Sequence, residues 1–138
     1  MQMPIVFYAA FPLAMAMIAG SAHAQMPMGA AEPQAIKRTI LQTFDVPGTR
    51  YETVIGISEI APNKSSGRHN HPGPEGGYVL QGSGTILADG QPPLSLKAGQ
   101  SYKLASGIVH DVRGGADGIK LLVTWVVEKG KPLVSPAH

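Results

Sequence analysis

Three histidines and one glutamate are the residues whose types and spacing could do chemistry in this chain: His69, His71, Glu75 and His110. Imidazole nitrogen and carboxylate oxygen are ligands that hard-to-borderline divalent metals accept. Thiolate ligation is excluded because the chain has no cysteine. We therefore predict one divalent metal ion per chain, and the donor types alone do not distinguish Fe, Mn, Ni, Cu, Co and Zn.

The spacing of the first three candidates explains how they could converge on one ion. Successive side chains of a β-strand point to opposite faces, so His69 and His71 share a face. The Pro-Gly-Pro sequence at 72–74 cannot continue a regular ladder and should turn the chain. Such a turn can bring Glu75 back toward the histidines. A six-coordinate ion with these four protein ligands keeps positions open for water, dioxygen or substrate, which a closed structural site does not.

The elements that must position these residues are short strands between turn signals, a pattern that predicts an all-β domain. No stretch after Ala35 keeps a sustained helical period, although 36–44 also fits a helical spacing. In the last strand, alternation assigns the odd-numbered residues, Trp125 among them, to the interior. The candidate strands are Lys37–Phe44, Tyr51–Ala61, Arg68–His71, Gly77–Gln81, Thr85–Ala88, Leu94–Leu96, Ser101–Leu104, Val109–Val112 and Ile119–Glu128.

The first 24 residues contain no Lys, Arg, Asp or Glu, and the segment from Ile5 to Ala19 is almost wholly apolar. The sequence Ala22-His23-Ala24 supplies the small-x-small pattern of a cleavage site. We expect residues 1–24 to be a signal peptide cleaved after Ala24, although no basic residue precedes the apolar run. That run is shorter than the roughly 20 residues of a membrane span. The mature protein should be periplasmic or secreted, without stable membrane association.

Composition limits the domain count and the partners. A chain of 138 residues corresponds to one domain, for which we expect a flexible lead-in at 25–35, a β-barrel at 36–129 and a tail at 130–138 that leaves the barrel. The formal net charge is +2, and lysine and arginine are scattered singly. No basic stripe indicates nucleic acid as a partner. Outward faces that stay partly apolar suggest a homodimer.

Two sequence patterns, taken together in order, carry a family resemblance. The first is His69-x-His71-x3-Glu75-x6-Gly82, and the second, sixteen residues later, is Gly99-x7-Gly107-x2-His110. They resemble the cupin superfamily, whose motifs run G-x5-H-x-H-x(3,4)-E-x6-G and G-x5-P-x-G-x2-H-x3-N. The resemblance implies a double-stranded β-helix, or jelly roll, with an ion near one mouth, and it points to small exported single-domain cupins.

The chain departs from the family pattern at three positions. Asn63 stands for the leading glycine, Ala105 for the proline of the second motif and Gly114 for its closing asparagine. None of the three is a candidate ligand. Asparagine tolerates a left-handed backbone nearly as well as glycine, so Asn63 can keep the turn.

Three residues have further candidate roles. Gln81, in strand register with Glu75, could face the cavity and position a substrate, although such a residue more often caps a strand end. Trp125 could stack on an aromatic or sugar ligand, although core packing is its commoner use. Glu75 could leave the ion and act as a general base, because carboxylate is the most exchangeable ligand of the set.

Two functions of different class follow. The first is a metal-dependent enzyme acting on a small oxygen-bearing organic molecule, an oxygenase with a redox metal and an isomerase or lyase with a redox-inert one. The second is a binding or sensing module for a sugar or aromatic molecule, with a structural metal, since fold alone does not assign a reaction.

Overall fold

The computed structural model describes residues 34–138 of the chain. The predicted signal peptide and almost all of the predicted lead-in lie outside the described residues. Within the described part, all regular secondary structure is β-strand. No helix of that part is long and apolar enough to cross a membrane.

Between residues 34 and 138, eight strands make up one curled antiparallel sheet. They are β1 (Ile36–Asp45), β2 (Tyr51–Ile60), β3 (His69–Asn70), β4 (Glu75–Ala88), β5 (Leu94–Lys97), β6 (Ser101–Leu104), β7 (His110–Glu128) and β8 (Ser135–Pro136). One path through the sheet runs β1-β2-β7-β3-β8, and β4 lies against β7, β5 and β6. The predicted jelly-roll architecture is confirmed.

The core fills the concave side of the sheet. On β7 the buried side chains alternate as predicted, and each is at most 4% exposed: Ile119, Leu121, Val123, Trp125 and Val127. Each fully buried aliphatic side chain of this kind contributes about 1.5–3 kcal/mol to folding through removal of apolar surface from water. The inward face of β7 therefore forms part of the barrel wall and also lines the cavity inside the barrel.

Two pairs of predicted strands are single long strands. The segments predicted at 77–81 and 85–88 join into β4, and those at 109–112 and 119–128 join into β7. The joints are bulges in the pairing of these two strands, where the register shifts between Val79 and Gln81 and between Gly82 and Gly84. Gly82 has φ of +74°, a left-handed conformation that glycine adopts without strain. Gly82 and Gly84, which look like turn residues in the sequence, instead bend a continuous strand.

The C-terminal tail does not leave the barrel, and that expectation is wrong. Ser135 and Pro136 form β8, which pairs antiparallel with Asn70 and His69 of β3. The tail therefore lies beside the strand that carries the first candidate ligand. A two-residue strand closed by Pro136 is too short to be recognised by alternation, so the sequence gives no sign of it.

The outer strand β1 carries much of the exposed apolar surface. Ile40, Leu41 and Phe44 are about half exposed, at 49%, 49% and 52%. Tyr78 and Leu80 of β4 also point outward, at 45% and 40% exposure, as alternation predicts. This surface is what the homodimer prediction requires, and the homodimer stays a prediction.

Candidate metal centre

The three histidines meet where β3 crosses the start of β7. His69 lies directly opposite His110 in the register of these antiparallel strands, and His71 follows one residue beyond the end of β3. One ring nitrogen from each histidine lies within 4.8 Å of the other two. All three side chains are buried, with exposures between 1% and 4%. The predicted convergence of His69, His71 and His110 is therefore present.

Each of the three imidazoles is oriented by a backbone carbonyl. A carbonyl oxygen only accepts, so each Nδ1 carries a hydrogen, and in the neutral form of the ring Nε2 then presents its lone pair. The carbonyl partners of Nδ1 are Gly67 for His69 at 2.7 Å, Leu133 for His71 at 2.6 Å and Ile108 for His110 at 3.1 Å. Such contacts fix tautomer and ring orientation at metal sites. All three Nε2 lone pairs are thereby available to one ion.

The loop that orients His69 is itself anchored. Asp111 is buried, and it accepts hydrogen bonds from the hydroxyls of Ser65 at 2.7 Å and Ser66 at 3.1 Å. These bonds hold the turn that ends at Gly67, whose carbonyl contacts His69. The neighbour of His110 in sequence thus supports a ligand rather than acting as one.

Glu75 reaches the same point through the predicted turn. A side chain at Gly73 would collide with the backbone oxygen of Val126, so the close approach of the turn to β7 requires glycine. The turn places Glu75 at the first position of β4, where it is 6% exposed. Its Oε2 lies 2.8 Å from Nε2 of His71 and 3.7 Å from Nε2 of His110.

Two other side chains hold the Glu75 carboxylate in place. The Tyr102 hydroxyl donates to Oε1 at 2.5 Å, and Nε1 of Trp125 donates to Oε2 at 2.9 Å. Burial raises the pKa of Glu75, but the contacts of its carboxylate with His71 and with the Tyr102 hydroxyl outweigh burial and lower the pKa to about 2. Trp125 is a fixed support of the carboxylate, 1% exposed, and not an open stacking surface.

The donor set fits a cation at the centre. Nδ1 of His71 donates to a carbonyl and Nε2 faces a carboxylate, so both ring nitrogens contact groups that only accept. A neutral imidazole carries one hydrogen and cannot satisfy both, whereas a protonated imidazole, or a cation between Nε2 and the carboxylate, can. In addition, Nε2 of His110 is buried without a hydrogen-bond partner among the described residues. A divalent ion between the three Nε2 atoms and Glu75 would satisfy all four groups at once.

Burial keeps two of the imidazoles in the form that binds metal. It lowers the pKa of His69 to about 4, and it lowers the pKa of His110 as well. Both rings are therefore neutral near pH 7, and metal binding there requires no proton release from them.

Arg38 of β1 is a residue of the cavity that the sequence alone does not reveal. Its Nη2 donates to Nε2 of His69 at 3.3 Å, and its Nε is buried without a partner in the described part of the chain. The signal that could have found it is alternation on β1, where Ile36 and Arg38 are partly buried and Lys37 between them is exposed. The ambiguity of this segment between strand and helix hid that signal.

Gln81 does not face the cavity, and its predicted orientation is wrong. It is exposed, lies opposite Lys120 and lines a separate surface depression with Glu59 and Asp117. The bulge after Val79 inserts a residue into β4, so the alternation that leads from Glu75 to Val79 does not extend to Gln81.

Comparison with known proteins agrees with this geometry. Residues 56–127 match the family model Cupin_2, described as the cupin domain. The chain belongs to the cupin family. The matched segment contains all four candidate ligands, and it begins after β1, so Arg38 lies outside it. A comparison with curated proteins by sequence finds no match.

Several solved structures share the fold at low sequence identity. DMSP lyase DddQ from Ruegeria pomeroyi is 20% identical with a TM-score of 0.64, over 80% of this chain and 56% of that one. Polyketide cyclase RemF from Streptomyces resistomycificus is 23% identical with a TM-score of 0.58, over 76% of this chain and 72% of that one. A cupin superfamily protein from Desulfitobacterium hafniense is 19% identical with a TM-score of 0.58, over 72% and 84%. The chain spans about half the length of the DMSP lyase structures that it matches, 44% and 56%.

Proposed function

We propose that this cupin is a metal-dependent enzyme acting on a small oxygen-bearing organic molecule. His69, His71 and His110 hold the ion through Nε2, and Glu75 is the fourth ligand. The single observation that carries the proposal is the hydrogen bond from each Nδ1 to a backbone carbonyl, which turns three buried Nε2 lone pairs to one point.

The residues around the ion divide the work between binding and orientation. When bound, the ion supplies a positive centre that stabilises negative charge on a substrate oxygen, and a redox-active ion also allows oxygenation. Tyr102 and Trp125 hold Glu75 at the site through its two oxygens. Apolar side chains line the remaining wall and keep the polar groups from bulk water, namely Ile60, Val112, Leu121 and Val123.

These contacts favour a ligand role for Glu75 over the base role. Leaving the ion to accept a proton would break the hydrogen bonds from Tyr102 and Trp125, and a carboxyl of low pKa is a weak base. Solved structures of similar fold include a DMSP lyase, a polyketide cyclase and an oxalate decarboxylase, all named for reactions of small organic molecules. We propose oxygenase chemistry with iron or another redox metal, because such an ion allows oxygenation, and lyase or isomerase chemistry with zinc.

A second candidate function is a binding or sensing module with a structural ion. The observation that favours it is the small cavity, in which the space open to a water-sized sphere is about 10 Å³. That volume holds about one water molecule. An ion fills it, and a substrate enters only if a wall residue moves.

One experiment separates the two functions. The wild-type protein and His110→Ala are loaded with Fe²⁺, Mn²⁺ or Zn²⁺ and incubated with a panel of small carboxylates, enolisable ketones and phenols, and products are followed by mass spectrometry. His138→Ala, at the exposed C-terminus, is the matched control. The enzyme proposal expects metal-dependent turnover that His110→Ala abolishes and His138→Ala keeps. Saturable binding with no turnover by any loaded form would favour the binding module.

We also propose that the protein is exported and cleaved after Ala24. Intact-mass analysis of protein expressed with its complete N-terminus and recovered from the periplasm tests this proposal. A mature chain beginning at Gln25 is expected, and full-length protein retained in the cytoplasm would contradict it.

A further inference from the structure

Arg38 stands at the cavity as a charged side chain that the ligand set does not use. It lies on β1 opposite Ser58 of β2, and both residues line the cavity that contains the three histidines. A guanidinium carries its positive charge at all ordinary pH values. The chain therefore keeps a partly buried positive charge beside a site for a cation.

The contact between Arg38 and His69 is incompatible with a bound ion. Nε2 of His69 has one lone pair, which either accepts from Nη2 of Arg38 at 3.3 Å or binds metal. Once an ion binds, Nη2 loses its acceptor. The Nε of the same guanidinium is already buried without a partner among the described residues. Loading the site thus leaves two donor nitrogens of Arg38, Nη2 and Nε, without an acceptor among residues 34–138.

The net charge around a bound ion would also be positive. Glu75 is the carboxylate at the centre, and the Tyr102 hydroxyl donates its hydrogen to it. A divalent ion and a guanidinium together exceed the charge of one carboxylate. Excess positive charge in a buried site is costly unless an anion compensates it.

We propose that Arg38 binds the anionic group of the substrate, so that the site selects small carboxylates that also chelate the ion. The planar fork of a guanidinium matches the two oxygens of a carboxylate, which can accept from Nη2 and Nε together. A ligand with two adjacent oxygen functions, such as a 2-oxo acid, a 2-hydroxy acid or a dicarboxylate, would reach both Arg38 and the ion. The inference rests on the proposed metal function and names the substrate class for it.

The size of the cavity restricts this class further. The present space admits about one water molecule, so the anion gains room only as the Arg38 side chain turns away from His69. That movement is the one that metal binding already requires. The compatible substrates are therefore short, with the carboxylate placed on the β1 side of the ion.

Oxalate binding to the Co²⁺-loaded protein tests the proposal. The visible absorption of Co²⁺ is followed as oxalate, and separately neutral imidazole, is added to wild type, Arg38→Gln and Arg50→Gln. Arg50→Gln removes the same charge at an exposed surface pair with Glu128. Loss of charged hydrogen bonds predicts oxalate binding about 10- to 100-fold weaker in Arg38→Gln than in the control. Imidazole affinity should be equal in all three proteins.

The affinity for Co²⁺ itself separates a binding role from a structural one. Arg38→Gln should bind Co²⁺ as tightly as wild type or more tightly, because a neighbouring positive charge is removed, whereas a misfolded variant would lose metal and oxalate together. Arg38→Lys, which keeps the charge without the fork, should recover part of the oxalate affinity and serves if Arg38→Gln does not fold. Equal oxalate binding by loaded Arg38→Gln and Arg50→Gln, or none by loaded wild type, would overturn the inference. Failure of wild type to bind Co²⁺ would overturn the proposed function first.

Discussion

The contact between Tyr102 and Glu75 depends on a missing side chain at Gly77, which makes Gly77→Ala a sensitive perturbation. A Cβ at Gly77 would lie 2.6 Å from the Tyr102 hydroxyl and closer still to two carbons of its ring. The ring has to shift away from Glu75. Forced overpacking costs about 1–3 kcal/mol, and loss of a hydrogen bond to a buried charge costs about 1.5–3 kcal/mol. Removing a glycine returns about 0.4–1 kcal/mol through the unfolded chain.

The expected net loss of about 1.5–5.5 kcal/mol lowers Tm by roughly 7–27 °C for a domain of this size. The adjacent Gly76→Ala is the matched control, because a Cβ there meets nothing within 4 Å. Its Tm should equal or slightly exceed that of wild type. Thermal unfolding by circular dichroism, with and without Co²⁺, measures both, and the Co²⁺ affinity of Gly77→Ala should fall about tenfold as Glu75 loses its support. If Gly77→Ala and Gly76→Ala had the same Tm, or if Gly77→Ala kept full Co²⁺ affinity, the described packing around Glu75 would be wrong.

Two substitutions and one deletion test neighbouring contacts. Trp125→Phe keeps most of the buried ring but removes the donor to Glu75 at 2.9 Å. Calorimetric titration should show Co²⁺ binding weakened about tenfold, and unchanged affinity would show that this hydrogen bond does not support the metal site. Deletion of residues 131–138 removes the Leu133 carbonyl that orients His71. Metal affinity should therefore fall about 10- to 100-fold. Wild-type affinity in the truncated chain would refute the role of this carbonyl. Gly114→Asn restores the asparagine of the family motif but sets a Cβ 2.5 Å from the backbone oxygen of residue 61. Urea unfolding should show a free energy of unfolding about 1–3 kcal/mol lower than that of wild type. A stabilised variant would contradict the close approach.

The convergence of His69, His71 and Glu75 could be predicted because it depends on local rules. Alternation places His69 and His71 on one face, and Pro-Gly-Pro turns the chain before Glu75. His110 came from the second half of a family pattern. The all-β class followed from the recurring strands and turns, which are short-range signals, whereas the jelly-roll architecture came mainly from the family resemblance.

The supporting contacts could not be predicted because they join positions far apart in the chain. The carbonyl that orients His71 comes 62 residues later, from a tail that pairs with β3. Arg38 reaches His69 across 31 residues, from a strand that also fits a helical period. No local pattern encodes either pairing.

Bulges account for the errors within β4. Alternation holds only while each residue advances the strand by one step, and an extra residue reverses the faces beyond it. Gln81 is therefore exposed, although Val79 is fully buried. The glycines at 82 and 84 signal a bend of the strand as readily as its end.

X-ray absorption spectroscopy of the metal-loaded protein tests the central claim most directly. We predict one ion per chain with nitrogen and oxygen ligands at about 2.0–2.2 Å and outer-shell scattering from three imidazoles. His110→Ala should reduce that scattering to two imidazoles or release the ion. An ion that keeps an unchanged spectrum in His110→Ala, or a wild-type protein that binds no divalent metal, would contradict a metal centre built from His69, His71 and His110.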